Sequence, residues 1–168
     1  MAEPIRIYGD PVLRKKAERI DPGDPRLAEL IPRMFVSMRA AEGLGLAAPQ
    51  IGESVRVAVI DGRGTPDGED LVLINPEIIS AWGEQSREEG CLSLPEIWIK
   101  VKRSAHVKLK YQDTTGNDHE MRASELLATA FQHEIDHLDG ILIIDRISAF
   151  QRKLVSGKLR NLKSHREV

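Results

Sequence analysis

Nine residues, "QHEIDHLDG" from Gln132 to Gly140, constrain this chain more than any other stretch, because they place two histidines and three carboxylates at the end of an apolar run. The preceding "ELLATAF" is built of good helix formers, so the spacing predicts one largely buried helix that ends at Gly140. Burying charge without a partner is costly. In an α-helix, residues four apart share a face about 6 Å apart along the axis, so His133 and His137 can direct both imidazoles at one ion. Glu134, offset around the helix, would then reach a water on that ion as general base, the arrangement of an H-E-x-x-H metal site. The competing reading is a pair of histidines on a solvated face, which the hydrophobic run before His133 disfavours. Asp136 and Asp139 need no catalytic role and read as solvated carboxylates or as partners orienting an imidazole N–H.

Two histidines leave a catalytic metal site one protein ligand short. In metzincin proteases the third histidine would fall at position 143, where this chain has Ile143. A glutamate-completed site would have to use Glu167, the sole glutamate downstream of His137 and the penultimate residue. The lone cysteine, Cys91 in "REEGCLSLP", cannot form an intramolecular disulfide. As a thiolate it is a good ligand for the same ions, and the incomplete histidine pair favours that reading over inert core.

The rest of the chain reads as one α+β domain spanning 1–168. Its 168 residues, 41% hydrophobic and 30% charged, fit a single soluble domain with a real core. Asp24 and Pro25 start a helix whose stripe of Leu27, Leu30, Ile31, Met34 and Met38 faces the core until Gly43 ends it. "GLGLAAPQIG", residues 43–52, reads as a non-helical, constrained connection. From Arg56 the pattern turns to strands, "RVAVID", "LVLINP", "EIISAW" and "AHVKLKYQD", with "TTGND" as a hairpin turn into "HEMR". Ser124 caps the histidine helix, "ILIID" reads as a short strand, and an amphipathic segment runs from about Ser148 to Lys163. The expected architecture is antiparallel or mixed sheets around a central metal-binding helix, with one N-terminal and one C-terminal helix.

The N-terminus has neither the pattern of a signal peptide nor that of a transit peptide, and no segment is a membrane span, so a cytoplasmic protein without a membrane partner is expected. A net charge of −2 provides no global drive toward nucleic acid, and DNA is not an expected partner.

Taken in order, "GLGLAAPQIG", "EGCLSLP" at 89–95 and "QHEIDHLDG" resemble the three signature motifs of the peptide deformylases. The resemblance implies an enzyme that removes the formyl group from nascent polypeptides beginning with formyl-methionine and releases formate. It implies Cys91, His133 and His137 as ligands of one divalent metal, Fe(II) in preference to Zn(II) or Ni(II). A water on that metal would be the nucleophile and Glu134 the general base. It further implies that the Gln50 amide and the Leu92 backbone N–H stabilise the oxyanion. The segment Leu44 to Leu46 would pair with the extended substrate, with Gly45 as an acceptor. Leu44, Leu126, Thr129, Ala130 and His133 would line the methionine pocket. The resemblance also suggests an ion pair between Arg103 and Glu42.

The chain departs from the commoner pattern after "EGCLSLP". Trp98 stands where many relatives have arginine or a small residue, and Lys102 where proline often precedes the residue matching Arg103. The basic tail, with Arg152, Lys153, Lys158, Arg160, Lys163 and Arg166, is either a solvated helix face or a ribosome contact, as in relatives whose C-terminal helix docks near the exit of the nascent chain. Two other readings fit the same residues. One is a metallopeptidase cleaving internal bonds, and the other is a non-catalytic module with a closed structural metal site.

Overall fold

In the computed structural model, residues 1–167 are described, with side chains through Ser164. Strands β1 (Gly45–Ala47), β2 (Val57–Ile60), β3 (Leu71–Trp82), β6 (His106–Gln112) and β7 (Asp118–Ser124) form one antiparallel sheet in the order β1-β2-β3-β6-β7. Strands β4 (Gln85–Cys91) and β5 (Leu94–Arg103) form a separate two-stranded sheet. Helices α1 (Leu27–Ala40), α2 (Glu125–Leu138) and α3 (Ala149–Glu167) pack on these layers.

The uninterrupted apolar run of β2 follows from burial on both of its faces. Successive side chains of a strand point to opposite sides, and Val57 and Val59 join a core with Leu30, Met34 and Met38 of α1. Ala58 and Ile60 join a second core with Leu127, Ala128, Phe131 and Ile135 of α2. The sheet is thus covered by α1 on one face and by α2 on the other. A third core packs Ile97, Ile99 and Val101 of β5 against Leu142 to Ile144 and Leu159 of α3. Truncating a fully enclosed side chain such as Phe131 costs about 3–5 kcal/mol.

Several local expectations are corrected. Helix α1 begins at Leu27, because Asp24 closes the preceding turn instead: its carboxylate accepts from Arg26 N–H at 2.9 Å and its carbonyl from Leu27 N–H at 3.1 Å. The helix ends at Ala40, with Glu42 in the left-handed region (φ 60°) and Gly43 N–H donating back to the Met38 carbonyl at 2.9 Å. "GLGLAAPQIG" is not wholly irregular, for it holds β1 and a 3-10 turn over Ala48–Ile51. "LVLINP" and "EIISAW" are one strand, with register shifts on either side of Glu77 that let Pro76 sit within it.

"ILIID" is no strand. Ile143–Asp145 is a 3-10 turn, since Leu142, Ile143 and Ile144 are all buried in the third core and Asp145 turns back to accept from Leu142 N–H at 2.9 Å. Ser124 holds the cap position of α2 without capping it, its hydroxyl lying 2.7 Å from His106 Nδ1 instead. Helix α2 stops as expected, with Gly140 at φ 76°, where a Cβ would also approach the Arg14 carbonyl oxygen to 2.6 Å. Helix α3 begins at Ala149, and Ser148 Oγ accepts from Gln151 N–H at 3.1 Å. Among the described residues no helix is long and apolar enough to cross a membrane.

Candidate metal centre and substrate cleft

Strand β4 ends at Cys91, where the β4–β5 pairing slips between Gly90 and Cys91, and this brings the thiol against α2. Cys91 Sγ lies 3.2 Å from His137 Nε2. Cys91, His133 and His137 each offer a donor atom within 4.8 Å of the others, the sole group of this kind among the described residues. The set suits a divalent ion chemically, being two imidazoles and a sulfur, and it suits one positionally. His133 Nδ1 donates to Glu89 Oε1 at 3.0 Å, which fixes the ring and leaves Nε2 as the ligand atom. The buried His137 Nδ1 has no hydrogen-bond partner. Burial opposes charge on His133, yet its contacts with Cys91 and Glu89 outweigh that and hold it well above the usual histidine range. Burial pushes His137 well below it.

Behind the histidines runs a chain of alternating charges, buried at Glu89, Arg103 and Asp136 and reaching the surface at Arg146. Arg103 grips Glu89 in a bidentate pair, Nε and Nη2 each at 2.9 Å, and donates from Nη1 to Asp136 at 2.6 Å. Arg146 holds the same Asp136 through two bonds of 3.1 and 2.7 Å. The expected pair between Arg103 and Glu42 is therefore wrong. Arg103 projects from the buried face of β5 toward α2, where Glu89 and Asp136 already satisfy it. Asp136 is buried and structural, whereas Asp139 binds Arg56 at 2.8 Å. The role of Glu89 was not visible in the sequence, since only the hairpin turns it toward α2.

Glu134 is buried, its Oε1 has no partner, and burial raises its carboxyl to about 7, with the nearby His133 pulling the other way. That value lies close to neutral, where a general base works best. Gly45 packs closely beside it, and a Cβ there would stand 2.7 Å from Glu134 Oε2, so a larger residue would shift that carboxylate. Gln50 is buried, and its Oε1 accepts from Ala47 N–H at 3.0 Å. The amide nitrogen must then face the other way, and it lies 3.1 Å from Ser93 Oγ and 3.8 Å from Cys91 Sγ.

A cleft of about 570 Å³ opens onto this cluster. Its wall includes Leu44, Gly45, Gln50, Cys91, Leu92, Leu126, Thr129, Ala130, His133 and Glu134, so all but one of the residues expected to act as ligands, catalytic groups, pocket lining or substrate acceptor meet in one place. The exception is His137, which is buried behind Cys91. Thr129 and Ala130 leave room beside His133, and Leu126, half exposed, stands at the mouth. Gln85 was not anticipated. Its amide donates to Thr129 Oγ1 at 3.0 Å and its oxygen accepts from Arg87 Nε at 2.9 Å, tying the wall of the cleft to the start of α2.

The sequence model of polypeptide deformylases matches residues 2–153. The chain belongs to the polypeptide deformylase family. This family comprises metallohydrolases that remove formyl groups from nascent peptides. A peptide deformylase of Acidobacterium capsulatum is 52% identical, over 96% of each chain. Among solved structures, a peptide deformylase from Legionella pneumophila superposes with a TM-score of 0.89 at 41% identity, over 99% of this chain and 98% of that one. The Thermus thermophilus peptide deformylase gives 0.90 at 37% identity, over 98% and 99%. Deformylase membership also removes the reading as a closed, non-catalytic metal module, and the mixed α+β architecture with antiparallel sheets and three helices is that of these structures.

Proposed function

We propose that this chain, as a single catalytic domain over 1–168, hydrolyses the N-formyl group of formyl-methionyl nascent polypeptides. The observation that carries the reading is the meeting of one sulfur and two imidazole donors, a carboxylate with a partnerless oxygen and an oriented amide at the foot of one cleft. Cys91, His133 and His137 would hold the ion, which would make α2 the metal-binding helix. Family resemblance favours Fe(II), and the same donors suit Zn(II) or Ni(II). Once bound, the ion supplies Lewis acidity to the formyl carbonyl and acidifies water.

Glu134 takes the proton of the attacking water as the new C–O bond forms, and returns it to the amine as the C–N bond breaks, leaving formate and a free α-amine. Gln50 Nε2 and the Leu92 N–H serve the oxyanion that forms between those steps. Strand β1 lies at the edge of its sheet, so the extended substrate can add beside it, with the Gly45 carbonyl as an acceptor. Leu44, Leu126, Thr129 and Ala130 receive the methionine side chain, with His133 at the base.

Formate release from a formyl-methionyl peptide, beside its unformylated counterpart, tests the reading on protein prepared anaerobically and analysed for metal. Release of formate from the formylated peptide is expected, with no internal cleavage of either. Internal cleavage without formate would instead establish a peptidase.

A cytoplasmic location belongs to the same proposal. So does a ribosome contact through the basic side chains of α3, from Arg152 and Lys153 to Lys163. Arg166 lies outside the described side chains. Salt-sensitive co-sedimentation with ribosomes is expected, and its persistence after truncation at Ile147 would refute the contact.

A further inference from the structure

Three large apolar side chains stand exposed on the wall of the cleft: Leu44 at 43%, Leu126 at 51% and Trp98 at 67%. They come from three separate segments of the chain. Single exposed apolar residues need no explanation, but convergence on one cavity marks a binding surface. Leu44 and Leu126 are accounted for by the methionine pocket, and Trp98 is not.

Trp98 belongs to the open face of β5, where the exposed Trp98 and Lys100 alternate with the buried Ile97, Ile99 and Val101. Its cross-strand partner is Gly90. A Cβ at position 90 would stand 2.6 Å from Trp98 Cζ3 and 2.8 Å from Cε3, so the six-membered ring lies directly over the glycine. Gly90 in turn immediately precedes Cys91. The indole is therefore seated against the backbone next to a candidate metal ligand, while most of its surface remains open. A seated aromatic ring provides broad apolar contact at small entropic cost.

We propose that Trp98 is a specificity-determining residue, packing against a substrate side chain within the two positions that follow formyl-methionine and favouring aromatic residues there. The inference rests on the deformylase reading above.

The test compares kcat/KM for formate release from formyl-Met-Phe-Ala, formyl-Met-Ala-Phe and formyl-Met-Ala-Ala, using the wild type, Trp98→Ala and Trp98→Phe. The wild type should prefer one or both Phe peptides over the Ala-Ala peptide by roughly three- to tenfold, mainly through KM. Trp98→Ala should erase the preference and Trp98→Phe should retain most of it. In a Trp82→Phe background Trp98 is the sole tryptophan, and its emission should shift to the blue as the product of the preferred Phe peptide, Met-Phe-Ala or Met-Ala-Phe, is added. Equal preferences in the wild type and Trp98→Ala, or unchanged emission at saturating peptide, would overturn the proposal while leaving the deformylase reading intact. Absence of formate from all three peptides with metal-loaded wild type would instead defeat that reading.

Discussion

Glu89 accepts a 3.0 Å hydrogen bond from His133 Nδ1 while its two oxygens hold Arg103 in a bidentate grip, so one carboxylate both aims a candidate metal ligand and neutralises a buried cation. The two tasks are joined because the Glu89 side chain reaches from β4, two residues before Cys91, to both His133 of α2 and Arg103 of β5. Metal affinity and fold stability should therefore respond together to changes at position 89.

Glu89→Ala should weaken metal binding by about 10- to 100-fold, as expected when the partner of a ligating histidine is lost. It should also lower stability by about 3–5 kcal/mol, because Arg103 is left buried with only Asp136, which Arg146 already shares. Chelator competition and denaturant unfolding read the two effects separately. A variant that unfolds like the wild type would show that the Arg103 pair contributes little.

Glu134→Gln should retain the metal and lose nearly all turnover, by roughly 100- to 10,000-fold, since the amide keeps the shape but cannot accept the proton. Metal analysis of the same preparation provides the control. Strong activity in the loaded variant contradicts the general-base role.

Gln50→Leu should reduce kcat by about 100- to 1,000-fold with a smaller change in substrate binding, the expected signature of a lost oxyanion donor. Steady-state kinetics separates the two. An effect confined to KM would make Gln50 a ground-state contact.

Cys91→Ser should lose metal and activity in parallel, because a neutral hydroxyl is a much poorer ligand than a thiolate for these ions. Elemental analysis beside the formate assay decides it. Full metal content with full activity would return Cys91 to core packing.

Acid should weaken the fold partly through Asp61, which accepts from Arg63 N–H and from the Arg63 and Arg39 guanidinium groups. The Arg63 bonds contribute most, and together these contacts lower its carboxyl from 3.8 to about 2. A depressed folded-state value means that the stabilisation is full above the unfolded pKa and is lost as pH falls through the folded one. Asp61→Asn should thus be less stable than the wild type at pH 5 to 7, with the gap closing between about pH 4 and 2. Urea midpoints across that range measure it, and a constant gap would exclude the carboxylate as its source.

The sequence by itself determined what depends on local pattern. The i, i+4 histidines require only a helix to share a face, and the apolar run before them ensures that the helix is buried. Gly140 had to end it, and the alternation in "AHVKLKYQD" had to form a strand. Motif resemblance added Gln50, Gly45 and the pocket residues, which line one cleft with Cys91 and His133, while His137 lies buried behind Cys91. Only the tertiary structure decided which charges pair. Arg103 meets Glu89 and Asp136, not Glu42, because partner choice for a buried guanidinium depends on which carboxylates two packed layers bring within 3 Å. Tertiary context likewise turned "ILIID" into a 3-10 turn, since three successive buried residues with no paired strand pack between β5 and α3. The seating of Trp98 over Gly90 is of the same kind. Those residues lie eight apart in sequence, and only the β4–β5 register makes them partners.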